Sequence, residues 1–186
     1  MYHSQETEIL PKPVSKQSPD SIIRIMQSIA TSMKRITLDE GPISEVHAFW
    51  LAGMSCDGCS IAAVGAKNPS VDQLLKAAIP GLPKVILHHP VLSVTAGDEF
   101  IESYHKAKQG KLGAPYVVLY EGSVADESIA EKFGGYWSAM GTEESNDGTH
   151  QPIPTAKWLN DLAPEAAAVV AVGTCATWGG IPAAAG

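Results

Sequence analysis

Four short apolar runs constrain this chain more than any other feature. They are "EVHAFWLAG" from Glu45, "KVILHH" from Lys84, "YVVLYEGS" from Tyr116 and "AAAVVAVGTC" from Ala166. By length each reads as a buried strand. Between them lie stretches with helical punctuation. "VDQLLKAA" starts at Val71, "GDEFIESYHKAKQG" opens on Asp98 as a cap and closes at Gly110, and "TAKWLNDLA" is started by Pro154 and Thr155. Strands that alternate with helices imply an α/β fold, a parallel sheet with helices on both faces. The continuous apolar runs agree, because a parallel strand is buried on both sides.

Ahead of this pattern, residues 1–44 form a separate unit. Residues 1–19 are polar and carry Pro11, Pro13 and Pro19, which reads as an unstructured or partner-bound tail. Ser18 or Asp20 then caps an expected helix with Ile22, Ile25, Met26, Ile29, Met33 and Ile36 at helical spacing. The expected organisation is thus a helical N-terminal extension, 1–44, followed by one α/β domain, 45–186; a chain of 186 residues suits that size. The net charge of −7 argues against nucleic acid as a partner. No apolar run approaches the ~18 residues of a membrane-spanning helix. Residues 1–21 lack the apolar core of a secretory signal and no twin arginine occurs, Lys34-Arg35 being the nearest basic pair. The expected location is therefore the cytoplasm, with any membrane association made through partners.

In open α/β sheets, ligands bind beyond the carboxyl ends of the strands. Cys56 and Cys59 follow the first strand, Glu121 ends the third and Cys175 follows the fourth, so all four fall on that edge. These are the only cysteines, too few for a disulfide scaffold, and clustered cysteines in a reducing compartment point to metal or redox chemistry. In "GMSCDGCSIA" the Cys-x-x-Cys pair sets two thiols on one side of a tight turn. Gly58 permits close backbone approach, and Gly53, Ser55 and Gly58 offer N–H groups to cluster sulfides. An iron–sulfur cubane takes four ligands, of which three are visible. Zinc is a second reading, with His88 or His89 completing the set. A redox dithiol is a third, since Cys-x-x-Cys between strand and helix suits it, although it leaves Cys175 unused. Cys175 as a small buried hydrophobe is the plain alternative. Neither Gly-x-Gly-x-x-Gly nor a Walker lysine follows the first strand, so phosphate cradling is weak. Trp50, Trp137, Trp158 and Trp178 read as core or interface packing, His47 as a satisfied packing residue, and His105 and His150 as solvated.

The flanks of these residues carry a resemblance. "FWLAGMSCDGCS", "VVLYEGSV" and "VVAVGTCATWGGIPAA" occur in order, and they resemble three landmarks of the small subunit of nickel–iron hydrogenases. The match runs from about Glu45 to Gly186. It implies a flavodoxin-like domain holding the proximal [4Fe–4S] cluster, with Cys56, Cys59 and Cys175 as three of its ligands. Glu121 matches the acidic residue beside that cluster; it would support the cluster or serve a proton route, or else simply cap nearby backbone N–H groups. The resemblance also implies a large partner subunit that carries the Ni–Fe centre and oxidises dihydrogen reversibly. Electrons would leave through this chain to an acceptor such as a quinone or a carrier, in a heterodimer or higher assembly. "PSVDQLL", "PGLPKV" and "FGGYWSAMGTE" resemble the aerobic, high-affinity branch. Family members continue into a region with the fourth proximal ligand and further iron–sulfur clusters, so this sequence is expected to be an N-terminal part; otherwise Asp57, a histidine, a partner or solvent would supply that ligand. Trp137 and Trp178 would face the large subunit. The competing assignment is the homologous iron–sulfur subunit of a quinone oxidoreductase, for which adjacent cysteines would be expected in the first motif. A flavin module with a structural cysteine pair is a third possibility.

Overall fold

A computed structural model describes residues 43–184. The tail and amphipathic helix expected in residues 1–44 lie outside the described residues, which begin at Ile43. The strands are β1 (Glu45–Ala52), β2 (Lys84–His88), β3 (Tyr116–Glu121), β4 (Ala139–Glu144), β5 (His150–Pro154) and β6 (Ala168–Val172). The helices are α1 (Gly58–Val64), α2 (Val71–Leu75), α3 (Gly97–Lys108), α4 (Glu127–Glu131), α5 (Thr155–Leu162), α6 (Gly173–Trp178) and α7 (Gly180–Ala184). The four expected strands form one parallel sheet in the order β2-β1-β3-β6. Parallel pairing places every strand's carboxyl end on the same edge, as the sequence requires.

Register decides which side chains share a face. Phe49 lies opposite His88 and Val118, and Leu51 opposite Tyr120. On that face Phe49, Leu51, Tyr116, Val118 and Tyr120 pack with Phe100, Tyr104 and Ala107 of α3 and with Trp158 and Leu162 of α5. Burying each large apolar side chain stabilises the fold by roughly 1.5–3 kcal/mol. The polar tips are satisfied. The Tyr116 hydroxyl donates to the Leu162 carbonyl at 2.7 Å, Trp158 Nε1 donates to the Met140 carbonyl at 2.8 Å, and the Tyr104 hydroxyl reaches the Trp50 and His88 carbonyls. The opposite face carries Trp50 and Glu121, over which α1 lies at the carboxyl end.

Several elements differ from the expectation. Helix α3 starts at Gly97 with Ala96 as N-cap; Asp98 lies in the first turn, where its charge favours the positive helix end without capping it. Helix α2 stops at Leu75, held by a capping box between Ser70 and Gln73. Strand β6 is an edge, and Val169 and Val170 are exposed rather than buried on both sides. The antiparallel β4–β5 hairpin was not foreseen. It turns through Asp147-Gly148, with Gly148 at φ 79°, and it buries Ile153 against the core. His105 is not freely solvated either: its ring lies edge-on to Trp158 at 5.1 Å. His150 is exposed as expected.

His47 and His88 form a half-buried pair on the core face, Nδ1 to Nε2 at 2.8 Å, with the His88 ring stacked 4.4 Å from Phe49. One ring must donate and the other accept, so the accepting ring at least is neutral when the pair is intact. Burial, reinforced by His47, lowers the His88 pKa to about 4. Burial also lowers that of His47, against the opposing charge of Glu45. The unfolded chain therefore binds more protons than the folded one between pH 6.5 and about 4. Folding stability should fall as pH drops through that window, by up to about 3 kcal/mol from His88. Denaturant unfolding at pH 7, 5.5 and 4.5 reads it. His88→Phe keeps the stacking and should shrink the slope; a wild-type stability that is flat over this range would contradict the assignment.

Candidate functional site

The site begins where β1 and β3 end side by side. The loops leaving them are joined by backbone hydrogen bonds, Gly53 N–H to Glu121 O at 2.8 Å, Met54 N–H to Ser123 O at 3.1 Å and Ser123 N–H to Met54 O at 3.3 Å. This approach needs glycine on both sides. A Cβ on Gly53 would sit 2.3 Å from the Tyr120 hydroxyl, and one on Gly122, at φ 87°, would sit 2.7 Å from the Met54 carbonyl. The loop after β6 is tied to the same place, since Ser123 Oγ donates to the Gly179 carbonyl at 2.5 Å.

The Cys-Asp-Gly-Cys turn follows from this anchoring. Asp57 adopts the left-handed conformation at φ 59°, which a short polar side chain tolerates, and its N–H donates to Ser55 Oγ at 3.0 Å. The chain then enters α1 with Cys59 in its first turn, while Cys56 stays exposed ahead of it. Cys175 comes from α6, and like Cys59 it is half-buried. Each thiol faces a glycine. Added Cβ atoms on Gly58, Gly173 and Gly180 would lie 3.3 Å from Cys56 Sγ, 2.4 Å from Cys59 Sγ and 2.8 Å from Cys175 Sγ respectively. Each sulfur thus lies against bare backbone, where a side chain would crowd it. Cys59 Sγ also lies 3.6 Å from the Val172 carbonyl at the end of β6, which joins the first and fourth strand ends directly.

Glu121 is buried beneath this turn. Its Oε2 accepts from Trp50 Nε1 at 2.9 Å and from Ser60 Oγ at 2.5 Å, and its Oε1 accepts from the Cys59 N–H at 3.1 Å. Burial pushes its pKa up, but the donors Ser60, Ser55, Trp50 and the Cys59 amide outweigh it and hold the carboxyl below the usual range. Burial, followed by the charges of Glu121, Cys56 and Cys175, pushes the Cys59 thiol up. A redox dithiol would leave the third thiol of this edge, Cys175, unused.

The histidines of the zinc reading are otherwise engaged. His88 Nε2 meets His47 on the core face. His89 Nδ1 accepts from the Val91 and Leu92 amides, and its Nε2 meets Ser60 Oγ at 2.8 Å. Among the described residues no three His, Cys, Asp or Glu side chains are arranged to hold a single metal ion. Three soft thiols in glycine-lined surroundings fit an iron–sulfur cluster in donor chemistry. Trp50 and Trp158 are buried, whereas Trp137 and Trp178 are exposed at 54% and 61%. Trp137 borders an open apolar groove of about 500 Å³ with Met54, Val124, Ile129 and Pro182. Sequence reasoning missed Ser60 and the Trp50–Glu121 bond; Ser60, a polar residue right after the second cysteine, was the only available signal.

The loop junction can be tested directly. Gly122→Ala combines a left-handed backbone with a backbone clash and should cost about 2–3 kcal/mol in chemical denaturation. A variant as stable as the parent would show that the two loops are not packed this closely.

Comparison with known proteins agrees with the geometry. Residues 56–186 match the family described as NADH ubiquinone oxidoreductase, 20 Kd subunit. The periplasmic [NiFeSe] hydrogenase small subunit of Desulfomicrobium baculatum is 28% identical over 74% of this chain and 40% of its own length. The hydrogenase-2 small chain of Escherichia coli K12 is 29% identical over 73% of this chain and 31% of its own. Among solved structures, an actinobacterial-type NiFe-hydrogenase from Ralstonia eutropha H16 superposes with a TM-score of 0.69 at 48% identity, covering 81% of this chain and 42% of that one. The chain therefore spans less than half the length of these relatives. With its three strand-end thiols in the matched segment, the chain belongs to the NADH ubiquinone oxidoreductase 20 Kd subunit family, and within it resembles the small subunits of nickel–iron hydrogenases.

Proposed function

We propose that this chain is the electron-transfer small subunit of a nickel–iron hydrogenase. Cys56, Cys59 and Cys175 would hold its proximal [4Fe–4S] cluster, with Glu121 beside it. One observation carries this reading: thiols from two sequence-distant loops lie at a single sheet edge, each against a glycine. When bound, the cluster accepts and passes on single electrons. The chain's own residues then have definite tasks. The thiols would give up their protons to become ligands, which the raised pKa of Cys59 makes dependent on metal. Gly58, Gly173 and Gly180 leave the sulfurs unobstructed. Glu121 fixes the Cys59 backbone through its amide.

The Ni–Fe centre and the reaction with dihydrogen belong, in this proposal, to a large partner subunit. The exposed Trp137 and Trp178 and the apolar groove support contact with a partner at this edge. A downstream quinone or carrier, further iron–sulfur clusters in a C-terminal continuation and a cytoplasmic location are parts of the same proposal. No helix among the described residues is long and apolar enough to cross a membrane.

The family description favours a second reading, an iron–sulfur subunit of a quinone oxidoreductase. The separated cysteines of Cys56-Asp57-Gly58-Cys59 weigh against it. Metal analysis of the complex purified from its native source decides between them: iron with nickel supports the hydrogenase, iron without nickel the alternative. Cys175→Ala and Cys59→Ala should each lose or convert the cluster, read as reduced iron content and a changed EPR signal of the reduced protein. Full iron and an unchanged signal in either variant would remove that cysteine from the ligand set.

A further inference from the structure

Beyond the thiols, a line of buried polar groups leads away from the site. His89 is 1% exposed, Ser60 5% and Glu121 1%. They sit on three separate elements, His89 just after β2, Ser60 in α1 and Glu121 at the end of β3. Trp50, on β1, closes the set from the other side, with its ring 5.0 Å from that of His89.

Chemistry fixes the direction of each bond in this line. His89 Nδ1 accepts from two backbone amides, Val91 N–H at 3.1 Å and Leu92 N–H at 3.3 Å. A nitrogen that accepts carries no proton, so the neutral ring holds its proton on Nε2. Nε2–H must then donate to Ser60 Oγ at 2.8 Å. The hydroxyl's single proton is left free to point at Glu121 Oε2, 2.5 Å away. That oxygen also accepts from Trp50 Nε1 at 2.9 Å, Ser55 is a further donor to the carboxylate, and the other oxygen, Oε1, faces the Cys59 N–H at 3.1 Å.

We propose that His89 is a positioning residue: through Ser60 it orients the Glu121 carboxylate, which in turn holds the Cys59 amide away from the sulfurs. The inference rests on the iron–sulfur reading for its functional consequence but not for its geometry. N–H donors to cluster sulfur and nearby charge both set reduction potential. A carboxylate fixed beside Cys59 opposes addition of an electron, and an amide committed to that carboxylate is withheld from sulfur. His89 therefore keeps the potential low. A buried histidine that serves packing alone would have no such reach, because a ring of the same shape would replace it.

The test uses the complex as isolated, with variants His89→Leu, His89→Gln and Ser60→Ala. The glutamine amide offers an N–H where Nε2–H stood, so it should restore what leucine loses. The first readout is hydrogen exchange of the Cys59 amide, which needs no cluster: His89→Leu and Ser60→Ala should exchange at least tenfold faster than wild type, and His89→Gln close to wild type. The second is the midpoint potential of the cluster by EPR-monitored titration. It should rise in His89→Leu and Ser60→Ala by about tenfold in the reduction equilibrium constant, which is about 59 mV for one electron, with His89→Gln near the parent. If His89→Leu does not fold, Ser60→Ala decides by the same readouts. Unchanged exchange and potential in Ser60→Ala, or no recovery in His89→Gln, would overturn the proposal. Wild-type complex without iron or an EPR signal would instead overturn the iron–sulfur reading, and amide exchange would still judge the role of His89.

Discussion

A buried carboxylate that must be fully hydrogen-bonded sets the terms for the whole upper edge of this domain. Glu121 has almost no contact with solvent, and an isolated charge there would be costly. Its partners come from β1, from Ser55 in the loop after it and from α1, which supplies both the Ser60 hydroxyl and the Cys59 amide. Each of those elements is placed by the need to reach the same two oxygens. The cysteine turn does not need a rigid helix of its own, because it is held to the sheet through an anion beneath it.

Close approach is the second constraint. Gly53 and Gly122 let two strand-end loops lie backbone to backbone, and Gly173 and Gly180 leave sulfur atoms facing bare chain. These positions look alike in sequence but act differently. Gly53 and Gly122 are required by neighbouring backbone and a tyrosine hydroxyl, whereas Gly173 and Gly180 are required by sulfur. The aromatic core on the other face carries the bulk of the apolar burial and leaves the loop edge free for polar and sulfur chemistry.

Much of this was legible in the residues. Strands such as "YVVLYEGS" announce themselves by apolar continuity, and parallel order then puts Cys56, Cys59, Glu121 and Cys175 on one edge without further information. The hairpin of β4 and β5 was not legible because Ala139–Glu144 is polar and partly exposed; only its Asp147-Gly148 turn marked it. Strand β6 reads as fully buried from "AVVAV", yet burial depends on what lies beside it, which local sequence does not encode. The roles of His88 and His89 were open for a similar reason. Adjacent in sequence, their rings serve opposite faces of the sheet, one stacking with Phe49 and His47, the other bonding Ser60.

The ordering of β2-β1-β3-β6 has a consequence for assembly. The two thiol-bearing loops leave β1 and β6, which β3 separates in the sheet. Neither loop can form the constellation locally, since both pairings close long stretches of chain, and such non-local topologies form slowly. The constellation is therefore absent from any partly folded chain in which β6 has not yet docked. Whatever binds all three sulfurs favours the complete sheet by mass action and gives no stabilisation to its intermediates. Cofactor insertion is thus a checkpoint on the fold itself: a chain that has lost β6 loses not one ligand but the geometry that made the other two useful.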